Sequence, residues 1–241
     1  MLDGDPRLPI YLRLRDELAG KIAAQEWRAG EAIPSESDLA GRYGVAVGTL
    51  RKTLDLLVAE GQLERAQGKG TFVRRARFDS SLFRFFRFQN QAGERRIPQG
   101  RVLGTEVTVL PAAVADRLRL PAGTRAIHLD RLRLMDGVPL LAESIWLPFD
   151  RFQALAGLRP DEFGDLLYPL YEERCGQTIA SAEETLTAET VGPDHARMLG
   201  LKPGAPVMVI ERLAFSFDHQ PIEWRRSRGP ADQFLYTATI R

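Results

Sequence analysis

The stretch Pro34-Ser35-Glu36-Ser37-Asp38-Leu39-Ala40-Gly41-Arg42-Tyr43-Gly44-Val45-Ala46-Val47-Gly48-Thr49-Leu50-Arg51-Lys52 reads as two short helices folded about a glycine. Ser35 stands where a side-chain oxygen can cap the first helix, with Asp38 three residues on at the acidic position of a capping box; Gly44 stops it. The second runs from about Val47 to Glu60, with Leu50, Leu54, Leu57 and Val58 on one side and Gly61 at its end. Working outward, Ile10, Leu14, Leu18 and Ile22 recur every four residues and predict an earlier helix from about Ile10 to Gln25. Pro9 falls where a first-turn proline is tolerated. Downstream, Gln62 to Arg74 reads as a hairpin, with Gly68-Lys69-Gly70 as its turn and Thr71-Phe72-Val73 as the returning strand. Three helices and a hairpin, the last two helices separated by a glycine turn, are the layout of a winged helix-turn-helix. Packing through Leu50, Leu54 and Leu57 leaves Gly48, Thr49, Arg51 and Lys52 free to enter a major groove. Lys69 at the hairpin tip, with Arg65 and Arg74 on the legs, is placed to meet phosphate.

The charge distribution agrees with this reading better than the charge total does. The 33 Lys and Arg nearly cancel the 32 Asp and Glu, leaving +1. Yet from Arg42 to Lys52 the only charges are Arg42, Arg51 and Lys52, and from Arg65 to Arg77 they are Arg65, Lys69, Arg74, Arg75 and Arg77. Nucleic acid responds to where charges lie. Such runs also occur as plain solvated faces, so charge alone does not decide. At 241 residues, 44% hydrophobic and 27% charged, the chain has room for one large or two small domains and is too apolar for wholesale disorder. No apolar run reaches the roughly 18 to 20 residues of a membrane helix, and the first 28 residues lack a signal peptide's apolar centre, so the cytoplasm is the expected location. A lone Cys175 with His128, His195 and His219 makes a poor zinc inventory, and no metal or cofactor is expected.

After Arg77 the pattern changes from helical periodicity to strands, beginning with Phe83-Arg84-Phe85-Phe86-Arg87-Phe88, which puts a boundary near Arg75 to Ser81. Strands are expected near Arg101–Leu110, Arg125–Leu134, Val138–Trp146, Thr178–Ala188, Val207–Phe217 and Pro221–Arg226, with hairpin turns at Asp136-Gly137 and Asp218-His219. An internal repeat runs through this region. Leu118-Arg119-Leu120, Gly123 and Asp130-Arg131-Leu132 recur as Leu199-Gly200-Leu201, Gly204 and Glu211-Arg212-Leu213, an offset of 81 residues throughout. One long repeat is too little for a solenoid and predicts two related strand-helix-hairpin halves sharing a sheet.

Taken together, these residues resemble the GntR transcriptional regulators, and more closely their HutC-like branch with a C-terminal UTRA effector domain. The first domain carries the resemblance through Pro9-Ile10-Tyr11, Ala29-Gly30-Glu31-Ala32-Ile33-Pro34-Ser35-Glu36, Leu39-Ala40, Tyr43-Gly44-Val45, Thr49-Leu50-Arg51-Lys52 and Gln67-Gly68-Lys69-Gly70-Thr71-Phe72-Val73. The second is similar to the UTRA pattern through Leu132-Arg133-Leu134, Asp136-Gly137-Val138-Pro139, Glu143-Ser144, Leu147-Pro148, Leu167-Tyr168, Tyr171, Gly176 and Pro221-Ile222-Glu223-Trp224. The resemblance implies an α+β chain: a winged helix-turn-helix over residues 1–76, then an α/β, chorismate lyase-like UTRA domain with a mostly antiparallel sheet over 77–241. It implies a non-enzymatic regulator, more often a repressor, which binds an inverted-repeat operator in double-stranded DNA as a homodimer.

Operator contacts carried over by position and by charge are Ser37, Val47, Gly48, Thr49, Arg51, Lys52, Arg65, Gly68, Lys69, Gly70 and Thr71. The chain departs from the family here. Ser37 replaces a basic residue, and Ala46, Val47 and Gly48 replace the usual hydroxyl, arginine and threonine, so base readout leans on Thr49, Arg51, Lys52 and the wing. Val47 is placed to touch a thymine methyl.

In the second domain Arg131 and Arg133 lie two apart on one strand face, an arrangement that suits a carboxylate or phosphate. Glu143 and Glu223 could accept ligand donors, and the resemblance places effector contacts at these four positions, with Tyr168 nearby. A small anionic metabolite is therefore the expected effector. Leu166 stands where sugar-phosphate binders often have serine, which favours a carboxylate. The competing reading makes Arg131 and Glu143 a surface ion pair, and Tyr168 and Tyr171 helix core. Two functional alternatives accompany these expectations: a chorismate lyase-like enzyme fused to a DNA-binding module, and a DNA-binding protein controlled by a protein partner. No paired acid and base, activated nucleophile, Gly-x-Ser-x-Gly or Walker loop supports the first.

Overall fold

The computed structural model describes residues 7–74 and 97–234. By contact these form two compact units, described here one at a time. The Phe83–Phe88 alternation and the junction between the domains, from residue 75 onward, lie outside the described residues.

The first unit is built from α1 (Ile10–Ala23), α2 (Glu36–Tyr43), α3 (Val47–Ala59), β1 (Leu63–Ala66) and β2 (Gly70–Val73). The four-residue spacing of Leu14, Leu18 and Ile22 turns one stripe of α1 inward, where it meets Leu39, Leu50, Leu54 and Leu57. All seven are at most 1% exposed, and each such side chain contributes roughly 1.5–3 kcal/mol of apolar burial. At the start of α2 the Ser35 hydroxyl oxygen accepts from the Asp38 N–H at 3.2 Å. The reciprocal half of a capping box is absent: the Asp38 carboxylate accepts from the Ser35 hydroxyl at 2.6 Å, having turned to the side chain of the cap. Gly44 closes the helix at φ 62°, a left-handed conformation that glycine adopts without steric cost. The next helix, α3, begins at Ala46 with no side-chain cap. Strands β1 and β2 pair antiparallel from Leu63↔Val73 to Ala66↔Gly70, forming the wing. Two later segments, 178–181 and 215–220, belong to this unit by contact, and Phe217 is part of its core.

In the second unit the strands are β3 (Gln99–Val109), β4 (Arg125–Met135), β5 (Val138–Pro148), β6 (Ser181–Thr190), β7 (Pro206–Phe215) and β8 (Pro221–Pro230). Their order across the sheet is β3-β4-β5-β8-β7-β6, and the β3–β4, β4–β5 and β5–β8 pairs are antiparallel. Read from the two edges inward, this order is the internal repeat made visible. Each half is a strand, a helix and a hairpin. Helix α4 (Ala112–Leu118) in one half answers α7 (Pro193–Leu199) in the other at the 81-residue offset, and the halves meet at β5 and β8. Between the halves lie a single turn, α5 (Phe149–Phe152), and α6 (Leu167–Cys175).

Two strand limits differ from expectation by three residues or more. β6 starts at Ser181 rather than Thr178, and residues 178–181 group by contact with the first unit. β8 continues past Arg226 to Pro230. Arg225, inside the expected strand, and Ser227, beyond it, both point inward and are buried against carboxylates.

Candidate functional site

The exposed side of the first unit gathers the residues expected to read DNA. Ser37 on α2 and Val47, Gly48, Arg51 and Lys52 on α3 are exposed, while Thr49 is half-buried at the start of α3. Arg65, Gly68, Lys69 and Gly70 are exposed on the wing, and Thr71 is half-buried on its returning strand. A cleft of about 480 Å³ is lined by the wing, from Arg65 to Thr71, by the segment Ala32–Ser35 and by Glu36 at the start of α2. The structure adds partners that the sequence did not announce. Arg51 donates through Nε and Nη2 to one Glu36 oxygen at 3.0 and 2.9 Å. Arg65 reaches the other Glu36 oxygen at 3.4 Å and Asp55 at 2.8 Å. The Lys52 ammonium lies 3.6 Å from the centre of the Tyr11 ring, a cation–π contact that turns it toward α1. Lys69 is the wing-tip cation with open surroundings, its N–H bonded to the Ala66 carbonyl to close the turn.

Within the second unit, one sheet face carries a buried charged cluster. Arg131 and Glu143 are directly opposed across β4 and β5, as cross-strand partners. Both are 2% exposed, so the surface ion pair envisaged from sequence is a buried one. Arg133, also 2% exposed, lies beside them. Glu223 is fully buried and already engaged. Its oxygens accept from Tyr168 Oη at 3.1 Å, from Tyr171 Oη at 2.9 Å and from Arg225 Nη2 at 2.8 Å. Tyr171 is core, edge-on to Phe152. Tyr168 differs from the plain core residue that its helical position suggested: its hydroxyl also accepts from Arg212 Nη1 at 3.2 Å.

The cations are unequally compensated. Arg212 is held by Glu184 at 2.5 and 2.8 Å, and Arg225 by Glu223. Burial works against the charge of Arg225, but Glu223 and Glu143 outweigh it and hold its pKa well above the ordinary value. For Arg131 burial wins and lowers the pKa, because the Glu143 oxygen lies 3.5 Å away and Arg225 repels it. Burial likewise pushes Arg133 down to about 10, with Glu143 only partly opposing. Arg133 has no carboxylate partner among the described residues; its Nη1 donates to the Asp165 main-chain oxygen at 2.6 Å, which also accepts from Arg131 at 2.5 Å. The Nε–H groups of Arg131, Arg133 and Arg225 are buried without an acceptor among the described residues. Among the described residues Glu143 meets only long contacts, 3.4 to 3.5 Å, to Arg225, Ser227 and Arg131. Chemically, the site offers two under-neutralised guanidiniums beside one carboxylate with acceptor capacity to spare. Such a set is chemically suited to an anionic group and a hydroxyl or amine donor on one small molecule.

Sequence reasoning missed Arg212, Arg225, Glu184 and Asp165. Two signals were available: Arg212 is the 81-residue counterpart of Arg131, and Arg225 follows Glu223 by two on the same strand face. On the opposite face His128 stacks on Trp146 at 4.1 Å, with its Nε2 2.7 Å from Ser144 Oγ. Cys175 is half-buried, and burial raises its thiol pKa.

Comparisons with known proteins match this architecture along almost its whole length. The model for bacterial regulatory proteins of the gntR family matches residues 10–73, and that for the UTRA domain matches 93–234. The chain is 29% identical over 217 residues to the "probable fructoselysine utilization operon transcriptional repressor" of Escherichia coli K12, covering 88% of this chain and 87% of that one. It is 31% identical over 214 residues to the HTH-type transcriptional regulator SmoD of Agrobacterium fabrum, with the same coverage. The mannosyl-D-glycerate transport/metabolism system repressor MngR of E. coli K12 is 25% identical, with 95% of each chain covered. Among solved structures, the ligand-binding domain of a GntR-family regulator from Bordetella bronchiseptica superposes with a TM-score of 0.57 at 27% identity, covering 69% of this chain and 99% of that one. PhnF from Mycobacterium smegmatis shares the fold over 97% of this chain and 99% of its own, with a TM-score of 0.55 at 22% identity.

Proposed function

This chain belongs to the gntR family of bacterial regulatory proteins and carries a UTRA domain, and from that premise we propose that it is a repressor whose operator affinity is set by a small hydroxylated anion bound at Arg131, Arg133 and Glu143. The family and the relatives above are DNA-binding transcription regulators, not enzymes. The observation that carries the proposal is the pair of buried arginines left short of negative charge. Removing a charge from water costs several kcal/mol unless a partner compensates, and an anion is the partner this pair lacks. The spare acceptor capacity of Glu143 adds selectivity for a ligand that also donates hydrogen bonds. Relatives named for fructoselysine and mannosyl-D-glycerate support a polyhydroxylated compound.

On the DNA side the protein acts as a homodimer on an inverted repeat, because two-fold protein symmetry requires two-fold DNA. Thr49 and Arg51 enter the major groove, Val47 and Ser37 lie at its rim, and the Gly68–Thr71 wing tip with Lys69 meets the backbone. The test is thermal unfolding of the full-length protein against a panel of sugar acids, amino-acid conjugates and phosphosugars. A true effector at 100 times its dissociation constant stabilises by about 2.7 kcal/mol, and Arg133→Ala abolishes the shift. A panel without any stabiliser, with operator binding intact, would leave a protein partner as the controlling signal.

A further inference from the structure

Two arginines expected to face DNA, Arg51 on α3 and Arg65 on the wing, share one carboxylate. That carboxylate belongs to Glu36, the first residue of α2, whose position is fixed by Pro34 and the Ser35 cap. The Glu36 side chain is 28% exposed, against 59% for Arg51 and 42% for Arg65, so it lies beneath the guanidiniums. A guanidinium carries five N–H bonds in a rigid planar fork. Glu36 takes the Nε and Nη2 side of Arg51, both to the same oxygen. What remains outward is the Nη1/Nη2 edge, a pair of donors suited to guanine O6 and N7. Meanwhile Arg65 bridges Glu36 and Asp55, tying the wing to both helices. The four charges cancel, so neither arginine contributes net positive potential for indiscriminate attraction to phosphate.

We propose that Glu36 is a specificity-determining residue: it holds the Arg51 fork in one plane for two-acceptor base readout and restrains Arg51 and Arg65 from acting as loose phosphate contacts. The proposal rests on the operator-binding reading above, and its failure is distinguishable from the failure of that reading. Without the carboxylate, Arg51 can swing to the nearest phosphate, which raises affinity for any duplex and lowers discrimination between duplexes.

The experiment uses the full-length protein and Glu36→Gln, which keeps length and removes charge at a partly exposed position. Each enriches a random-sequence duplex library at one salt concentration, and the enriched duplex and a scrambled one are then titrated. For Glu36→Gln the expected result is loss of preference at one base pair per half-site and tighter binding to scrambled duplex. The enriched-to-scrambled affinity ratio falls about tenfold, the scale of one base contact. Arg51→Ala removes the same base preference, while Asp55→Asn, which takes away one of the two carboxylates holding Arg65 and leaves the Glu36–Arg51 pair intact, keeps it. If Glu36→Gln enriches the same sequences with an unchanged ratio while Arg51→Ala does not, the role assigned to Glu36 is overturned alone. Should Arg51→Ala keep the full preference, Arg51 reads no base and the proposal falls with operator binding intact. A wild-type protein that enriches nothing overturns both.

Discussion

At the scale of single residues, the second unit's behaviour is governed by how completely each buried charge is matched. Burial opposes ionisation of Glu143, but the guanidiniums of Arg225, Arg131 and Arg133 overcome it and hold its pKa below the usual value. A carboxyl with a lowered folded pKa contributes stability that is fully present above its unfolded value, near 4.3, and is lost as pH falls through the folded one. The urea midpoint of Glu143→Gln should therefore lie well below wild type at pH 7, and the gap should narrow below about pH 4.3. A gap constant between pH 7 and 3.5 would contradict the charge argument. Gly100 offers a second check. A side chain there would overlap the Arg131 guanidinium, so β3 passes close over that group only because position 100 has none. Gly100→Ala should displace Arg131, weaken effector binding by at least about tenfold, the worth of one charge-assisted hydrogen bond, and lower the melting temperature, because Glu143 loses a compensating cation. Calorimetric titration of the compound found by thermal screening provides the measurement.

For the elements, the informative contrast is between two neighbouring helix starts. Helix α2 has the Ser35 cap, whereas α3, which carries Thr49 and Arg51 of the proposed groove contacts, begins at Ala46 with extended backbone and no side-chain acceptor. Ala46→Ser should bond an orphan N–H at the start of α3 and add roughly 0.5–2 kcal/mol. Urea unfolding of the two proteins would show it, and equal midpoints would mean that the N–H is already satisfied by water. A similar contrast marks the repeat: Gly200 closes α7 at φ 67°, while its counterpart Arg119 closes α4 at φ 54°. The two halves thus share the same left-handed stop with different side chains at it.

At the scale of the whole molecule, the proposed function places two ligands on one chain, and thermodynamic linkage constrains how they would act. Whatever factor the effector changes operator affinity by, operator must change effector affinity by the same factor. Titrating the effector with and without saturating enriched duplex, and the duplex with and without saturating effector, should give equal ratios. Unequal ratios would show that the compound acts outside the two-ligand cycle.

How much of this was legible in the sequence follows from the range of the forces involved. Helix periodicity, the Ser35 and Gly44 caps, the wing turn around Lys69, the 81-residue repeat and the alternation that puts Arg131 and Arg133 on one face are local. Each depends on residues a few positions apart or on a pattern copied whole, so the sequence by itself determined them. Charge compensation is not local. Glu36 lies 15 positions from Arg51 and 29 from Arg65, and Glu223 gathers tyrosines more than 50 positions away. Which arginine is neutralised and which is left wanting an anion was decided only when the strands and helices packed, because Coulomb interactions act through space in a medium whose polarity the fold itself creates.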